Sequence, residues 1–280
     1  MNTQEFIKAA LAEDIGSGDH STLASIDDKV IGSAKLIVKE AGVIAGIRIA
    51  KEVFSYLDSE AVFTANYKDG DYLAVGAIAF TVKAKAQAIL QAERLVLNTM
   101  QRMSGIATLT HSYVDKIKNY TSTILDTRKT TPLFRAFEKE AVLLGGAKNH
   151  RMGLYDMIML KDNHIDYCGG IEKAIAAANA YLKEHQMQLP IEVETRSLED
   201  VKRVMKVGGV QRIMLDNFTP QEIEAALVLI NKQYETEASG GINFDTIEAY
   251  AATGVDFISV GAVIHHATSL DLSLKAVLHE

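Results

Sequence analysis

Cationic side chains crowd one stretch of an otherwise acidic chain. Between residues 128 and 161 stand Arg128, Lys129, Arg135, Lys139, Lys148, Arg151 and Lys161, with His150 and His164 beside them. Arg135 and Lys139, four apart and next to Glu138, have the spacing of a solvated helix face. Arg128, Lys129, Arg151 and Lys161 differ, because each follows a strand-like or loop segment. A guanidinium grips carboxylate or phosphate through paired hydrogen bonds, and an ammonium adds a compact charge. The grouping points to a polyanionic ligand.

Glu194 and Asp216 stand against that positive charge at the ends of two apolar runs, IEVET and RIMLDN. Two carboxylates on adjacent strand ends suit a Mg2+ ion carried by a phosphorylated ligand, since Mg2+ prefers oxygen donors and keeps water. Direct contact with ribose hydroxyls and a general acid/base pair are the other readings of these two residues. Ser239, Gly240 and Gly241 at one run's end, with Gly261 at the next, have the look of a phosphate cradle, where glycine lets backbone N–H groups approach the anion. There is no Cys/His spacing for zinc, no strand-to-helix GxGxxG and no Walker sequence, and nothing calls for an organic cofactor. Cys168, in a Gly-rich loop without a His partner motif, reads as inert. His265-His266 reads as a turn after the last strand, with phosphate contact the lesser option, and His20 and His111 receive no role.

These residues need a scaffold that brings run ends together. After residue 120 six short apolar runs recur: STILDT, YDMIMLKDNH, IEVET, RIMLDN, EASGGI and FISVGA. Markers at Asp126, Leu160, Glu194, Asp216, Ser239 and Gly261 are spaced by 34, 34, 22, 23 and 22 residues. A step of about 22 fits a strand, a turn and a helix, the parallel βα unit. Each run reads as apolar at its start and polar at its end, the pattern of a TIM-like barrel with its site on the C-terminal face. Before that, Phe6, Ile7, Ala10 and Leu11 have a helical period, AKLIVKEAGVIAG and AVFTANYKDGDYLAVGAIAFTVKA read as strands with tight turns, and a long helix runs from Ala86 to about Ile117. The expected organisation is a small α+β domain over residues 1–110 and a barrel domain over 111–267.

Composition agrees with a globular α/β class. The 280 residues are 48% hydrophobic and 23% charged, with 29 basic against 36 acidic side chains and a net charge of −7. That excludes low-complexity architectures and argues against a general nucleic-acid or membrane-surface binder. Cys168 is the lone cysteine, so no internal disulfide forms, which fits a reducing compartment. The start MNTQEFIKAALAED resembles neither a secretion signal nor a transit peptide, and no apolar run reaches the roughly 18 residues of a membrane span. A cytoplasmic location is expected, with no membrane or nucleic-acid partner.

Taken together, EDIGSGD (13–19), ERLVLNTMQRMSGIAT (93–108), LDTRKTTP (125–132), GGAKNHRMGLYDMIMLKDNH (145–164), IEVET (191–195), MLDN (214–217), ASGGI (238–242) and VDFISVGA (255–262) resemble the quinolinate phosphoribosyltransferase family, over nearly the whole chain and in the family's order. The resemblance implies a type II phosphoribosyltransferase fold: an N-terminal α/β sandwich, an open seven-stranded α/β barrel, and a C-terminal tail (268–280) returning to the N-terminal domain. It implies transfer of the phosphoribosyl group of phosphoribosyl pyrophosphate to quinolinate with decarboxylation, assisted by Mg2+, in NAD biosynthesis. It also implies a homodimer, or a hexamer built from dimers, in which Arg102 reaches the neighbouring subunit's site.

Carried over by motif, Arg128, Lys129, His150 and Arg151 would line the quinolinate pocket with Arg102, and Thr127 would lie alongside. Lys161 would face substrate charges, Glu194 and Asp216 would hold ribose and Mg2+-pyrophosphate, and Ser239, Gly240, Gly241 and Gly261 the 5′-phosphate. The chain departs from the family pattern at Leu133, where Gly commonly follows TTP, at Glu140, which replaces an aromatic, and at Ala147, which replaces a third Gly. A paralogous phosphoribosyltransferase of the molybdenum-operon type, a barrel aldolase using Lys161 as a Schiff-base amine, and a non-catalytic metabolite sensor are the competing readings.

Overall fold

The computed structural model describes residues 2–277. Helix α1 (Thr3–Ile15) begins at Asn2, whose side chain accepts the Glu5 N–H while the Glu5 carboxylate accepts that of Asn2. This reciprocal cap satisfies two amides that a helix start leaves open. After α2 (His20–Ser25), β1 (Ile31–Val38) buries Ala34, Leu36 and Val38 in strict alternation. β2 (Gly42–Val43) is followed by α3 (Ile47–Leu57), then by β3 (Val62–Ala65), β4 (Tyr72–Leu73) and β5 (Ile78–Lys85). α3 occupies a stretch for which the sequence suggested no element. Its Ile47, Ala50 and Phe54 nonetheless bury one face at helical spacing. The long helix is α4 (Ala86–Lys116), with Met100 and Met103 fully buried in the core.

The six apolar runs are six strands: β6 (Thr123–Leu125), and after α5 (Arg135–Leu144), β7 (Ile158–Leu160). α6 (Asp162–Cys168) and α7 (Ile171–Glu184) lead to β8 (Ile191–Thr195), and α8 (Leu198–Val207) to β9 (Arg212–Asp216). α9 (Pro220–Ile230) precedes β10 (Glu235–Ser239), α10 (Ile247–Ala252) precedes β11 (Phe257–Ser259), and α11 (Ala262–His265) and β12 (Leu272–Ala276) complete the described chain. The marker spacing now has a cause. Steps of 22 or 23 residues hold one helix, whereas the step of 34 from Leu160 to Glu194 holds both α6 and α7.

The chain divides into two compact units. The first contains residues up to His111, Thr131–Gly146 and the segment from His266 onward. Its antiparallel sheet has the order β12-β1-β5-β3, beside a small β2-β4 pair, and Phe54, Phe63 and Phe80 cluster in its core with ring centroids 4.5 to 6.1 Å apart. The terminal segment lies against α4: the Leu270 N–H donates to Gln101 O at 3.0 Å and Gln101 Nε2 to Leu272 O at 3.1 Å. Gly105 is required there, because a Cβ would collide with the Thr268 carbonyl. Residues 278–280 of the tail lie outside the described residues. Residues 131–146, inside the stretch the sequence reading gave to the barrel, cluster instead with this first unit, where Phe137 packs against Phe6 at 4.6 Å.

The second unit is a parallel sheet of order β6-β11-β10-β9-β8-β7 wrapped by helices, an α/β barrel-like architecture. A seventh strand is reduced to one bridge between Leu125 and Lys148, held by Lys148 N–H to Ile124 O at 3.0 Å and Asp126 N–H to Lys148 O at 3.2 Å. On each strand alternate residues face opposite sides. Ile191, Val193, Ile213, Leu215, Ala238 and Ile258 are buried on one side, and Glu192, Glu194, Arg212, Asp216, Glu237 and Ser239 take the other. The expected pattern of apolar starts and polar ends is therefore incomplete, since Glu192, Arg212 and Glu237 are polar residues within the strands.

Candidate active site

Because all six strands are parallel, every C-terminal end emerges on one side of the second unit. The loop after β6 carries Thr127, Arg128 and Lys129, and the Thr127 hydroxyl accepts the Lys129 N–H at 3.0 Å. Arg128 and Lys129 are exposed, whereas Arg151 is buried and donates to Met157 O at 3.2 Å. Burial and the neighbouring Arg128 charge pull the Arg151 pKa down, though a guanidinium keeps its proton in any protein. Lys161 follows β7 and lies 4.0 Å from Glu194, and its N–H donates to His164 Nδ1 at 3.0 Å, so His164 serves as a helix cap.

Glu194, last but one on β8, is buried, and burial together with the Asp216 charge raises its pKa. Asp216 accepts the Ser239 hydroxyl at 2.6 Å and the Asn217 side-chain amide at 2.6 Å. Gly240 has φ +96°, and a Cβ there would press on the Asn217 backbone nitrogen at 2.8 Å; at Gly241, φ +65°, a Cβ would meet nothing within 4 Å. A Cβ on Gly261 would meet His265 Nε2 at 2.9 Å and Lys129 Cδ at 3.3 Å. Thus Lys129 and Gly261 are neighbours, as are Arg128 and Arg151, and Lys161, Glu194, Asp216 and Ser239 form a connected row. The row's oxygen donors, with two carboxylates whose repulsion already favours a proton on Glu194, are of the kind a Mg2+ ion takes.

Arg102 belongs to the first unit. Its Nε and Nη2 donate to Glu138 Oε1 at 3.0 and 2.8 Å, and Nη1 to Ala267 O at 2.8 Å. Glu138 also accepts the Thr131 N–H and hydroxyl at 2.8 and 2.9 Å. This corrects the reading of the Arg135–Lys139 segment as a solvated face: Glu138 and Lys139 are fully buried, and the carboxylate is there to hold an arginine and a loop. Two smaller expectations also change. Cys168 ends α6 rather than lying in a loop, and His265 closes α11.

The group that sequence reasoning missed lies inside the barrel. His150 Nε2 is 2.9 Å from Glu192 Oε2 and 3.3 Å from Glu237 Oε2, and all three side chains are buried. Glu237 also takes the Ser259 hydroxyl and, at 2.9 Å, Arg212 Nη1, while Arg212 Nη2 reaches Glu235 at 2.9 Å. Burial works against charge on His150, while the two carboxylates beside Nε2 push its pKa up. Burial and the Glu237 charge lift Glu192 to about 7. The signal was available: Glu192 precedes Glu194 by two, and Glu237 precedes Ser239 by two, so each shares a strand face with a residue already singled out. His150, Glu192 and Glu237 also have the makings of a metal trio, with ligand atoms within 4.8 Å of one another. However, Nδ1 accepts the Arg151 N–H at 2.6 Å, which leaves the ring proton on Nε2, facing the carboxylates where a metal would have to bind.

A cavity of about 1400 Å3 opens at the opposite, N-terminal ends of the strands, beside Gln211, Tyr234 and Asp256. Among its charged wall residues Arg212 and Glu235 are paired with each other.

Family models described as quinolinate phosphoribosyl transferase N-terminal and C-terminal domains match residues 19–104 and 106–275. The chain is 44% identical to the chloroplastic nicotinate-nucleotide pyrophosphorylase [carboxylating] of Arabidopsis thaliana, over 96% of this chain and 81% of the relative. It is 42% identical to the probable nicotinate-nucleotide pyrophosphorylase [carboxylating] of Bacillus subtilis, over 99% and 94%. The crystal structure of NadC from Streptococcus pyogenes superposes with a TM-score of 0.92 at 41% identity, over 97% of this chain and 95% of that one. With both halves matched in order and the same backbone carrying them, the chain belongs to the quinolinate phosphoribosyltransferase family.

Proposed function

We propose that this chain transfers the phosphoribosyl group of phosphoribosyl pyrophosphate to quinolinate and releases CO2 and pyrophosphate, giving nicotinate mononucleotide. The observation that carries the reading is the set of cationic side chains on the loops after β6 and β7, beside a carboxylate pair and a glycine turn on the ends of β8, β9 and β10, in a chain of this family.

In this reading Arg128, Lys129 and Arg151, with Thr127 alongside, hold the two quinolinate carboxylates. Lys161 balances charge between the substrates, and Ser239, Gly240, Gly241 and Gly261 receive the 5′-phosphate. Glu194 and Asp216 bind ribose hydroxyls and a Mg2+ ion, which when bound neutralises charge on the departing pyrophosphate. The pyridine nitrogen forms a bond to the anomeric carbon as the bond to pyrophosphate breaks. The bond from C2 to its carboxylate then breaks, and C2 takes a proton. The protein's contribution is positioning and charge balance. Arg102 completes the quinolinate pocket of a partner subunit in a homodimer, or in a hexamer of dimers. We also place the protein in the cytoplasm; no described helix is long and apolar enough to cross a membrane.

The test is release of CO2 and pyrophosphate from quinolinate, phosphoribosyl pyrophosphate and Mg2+, with nicotinate in parallel. Both products with quinolinate and neither with nicotinate are expected. Binding of phosphoribosyl pyrophosphate without turnover of quinolinate would overturn the choice of base.

A further inference from the structure

The reaction does not use Glu192, Glu237 or Arg212, yet these ionisable groups sit within one barrel interior. Isolated buried carboxylates are strongly unfavourable and persist where a partner or a role compensates. Here the partners converge on one ring. Glu192 from β8 and Glu237 from β10 flank His150 Nε2 at 2.9 and 3.3 Å. Arg212 from β9 and Ser259 from β11 hold Glu237 in turn. On the ring's other side Nδ1 accepts the Arg151 N–H at 2.6 Å, and the His150 N–H itself donates to the buried carboxylate of Asp126 at 2.8 Å. Nδ1 is thereby hydrogen-bonded and Nε2 lies against two carboxylates inside the protein, and the next residue along is the one buried arginine among the strand-end cations.

We propose that Glu192 and Glu237 are positioning residues which, by taking the Nε2 proton of His150, fix the ring's tautomer and through its Nδ1 set the backbone from which Arg151 reaches the substrate. His150 then acts from beneath the pocket rather than as a direct ligand. The consequence for affinity rests on the reading above, that Arg151 binds the diacid; the geometry of the ring does not.

Two measurements separate these. The first uses 15N-labelled histidine and backbone amide NMR on the intact protein without ligand. The proposal expects His150 to carry its proton on Nε2 and the Arg151 amide to be protected from exchange. It also expects Glu192→Leu to shift that amide and lose the protection, while Glu192→Gln, which keeps an acceptor, preserves both. A proton on Nδ1, with or without one on Nε2, or an Arg151 amide unmoved in Glu192→Leu, overturns it. The second measures dissociation constants of quinolinate and of phosphoribosyl pyrophosphate separately. Glu192→Leu should weaken quinolinate at least 10-fold and leave phosphoribosyl pyrophosphate within 2-fold, with Glu192→Gln restoring quinolinate to within about 3-fold. Equal loss for both ligands overturns the positioning role in favour of a merely structural one. Should the wild type not bind quinolinate at all, the substrate reading falls while the NMR result still decides the ring's geometry. If Glu192→Leu does not fold, the wild-type tautomer and Glu192→Gln decide it.

Discussion

Glu138 offers the most direct test of the site's scaffolding. Its fully buried carboxylate accepts four hydrogen bonds, two from Arg102 and two from Thr131, at 2.8 to 3.0 Å. Glu138→Ala leaves the Arg102 charge and the Thr131 N–H without that acceptor. Removing one member of a buried ion pair typically costs about 3–5 kcal/mol, because the remaining charge stays desolvated. The Arg102 side chain is 25% exposed, so water recovers part of this, and we expect on the order of 2–4 kcal/mol. For a chain of this size that lowers the melting temperature by roughly 4–16 °C, at about 2–4 °C per kcal/mol. Calorimetry on Glu138→Ala, Arg102→Ala and the double variant provides a thermodynamic cycle. If the pair acts as a unit, the double variant is more stable than the sum of the singles implies, by about 1–3 kcal/mol. In the same variants the KM for quinolinate should rise in Glu138→Ala nearly as far as in Arg102→Ala. Additive single effects, each below about 1 kcal/mol, would refute the reasoning, since a four-bond buried acceptor cannot be that inexpensive to remove.

Three further expectations follow from local geometry. Leu133 is 79% exposed at φ +63°, so Leu133→Gly should be neutral or stabilising by up to about 1 kcal/mol, while Leu133→Val costs about 1 kcal/mol or more; a Gly variant that loses more than about 1 kcal/mol in denaturant titration would show that the loop needs the side chain. Gly240→Ala should cost about 2 kcal/mol or more and weaken phosphoribosyl pyrophosphate, because its Cβ meets the Asn217 backbone, whereas Gly241→Ala, with open space, should cost only about 1 kcal/mol. Equal effects at the two glycines would contradict the assigned crowding. Stability should also fall as pH rises. Folding raises Glu192 from its ordinary 4.5 to about 7. The folded state therefore binds protons more tightly, Glu192 losing its contribution as pH climbs from about 4.5 through 7, at most about 1.4 kcal/mol per pH unit. Melting curves from pH 5 to 8 check this, and a slope unchanged in Glu192→Gln would assign the effect elsewhere.

Much of the architecture was legible because the physics that makes it is local. The marker steps near 22 residues and the glycine turn after β10 each declare themselves within a few residues. The residues brought to the strand ends follow from parallelism alone. α5 was different: it sits within a 34-residue step that could have held an ordinary barrel helix, and only tertiary contacts of Phe137 with Phe6 reveal that it packs in the other unit. Its buried Glu138 and Lys139 looked solvent-facing because a charge four residues from another is, in most helices, exposed.

The charged interior was hidden for a deeper reason. Glu192 and Glu194 in IEVET, and Arg212 and Asp216 in RIMLD, alternate with apolar residues at the period of a strand that turns one face to water. In a flat sheet that reading would hold, and the charges would need no partners. When the sheet curls, the same face becomes an interior whose lower part is sealed and whose upper rim is open. Residues two apart then meet opposite fates: Glu194 keeps access to the rim, and Glu192 is enclosed and must find His150, as Glu237 must find Ser259 and Arg212. An alternating pattern thus specifies a face without saying whether that face is wet. The distinguishing sign is charge balance across strands: Glu192 on β8, Arg212 on β9 and Glu237 on β10 alternate in sign from one neighbour to the next, an order that a solvated surface has no need to impose.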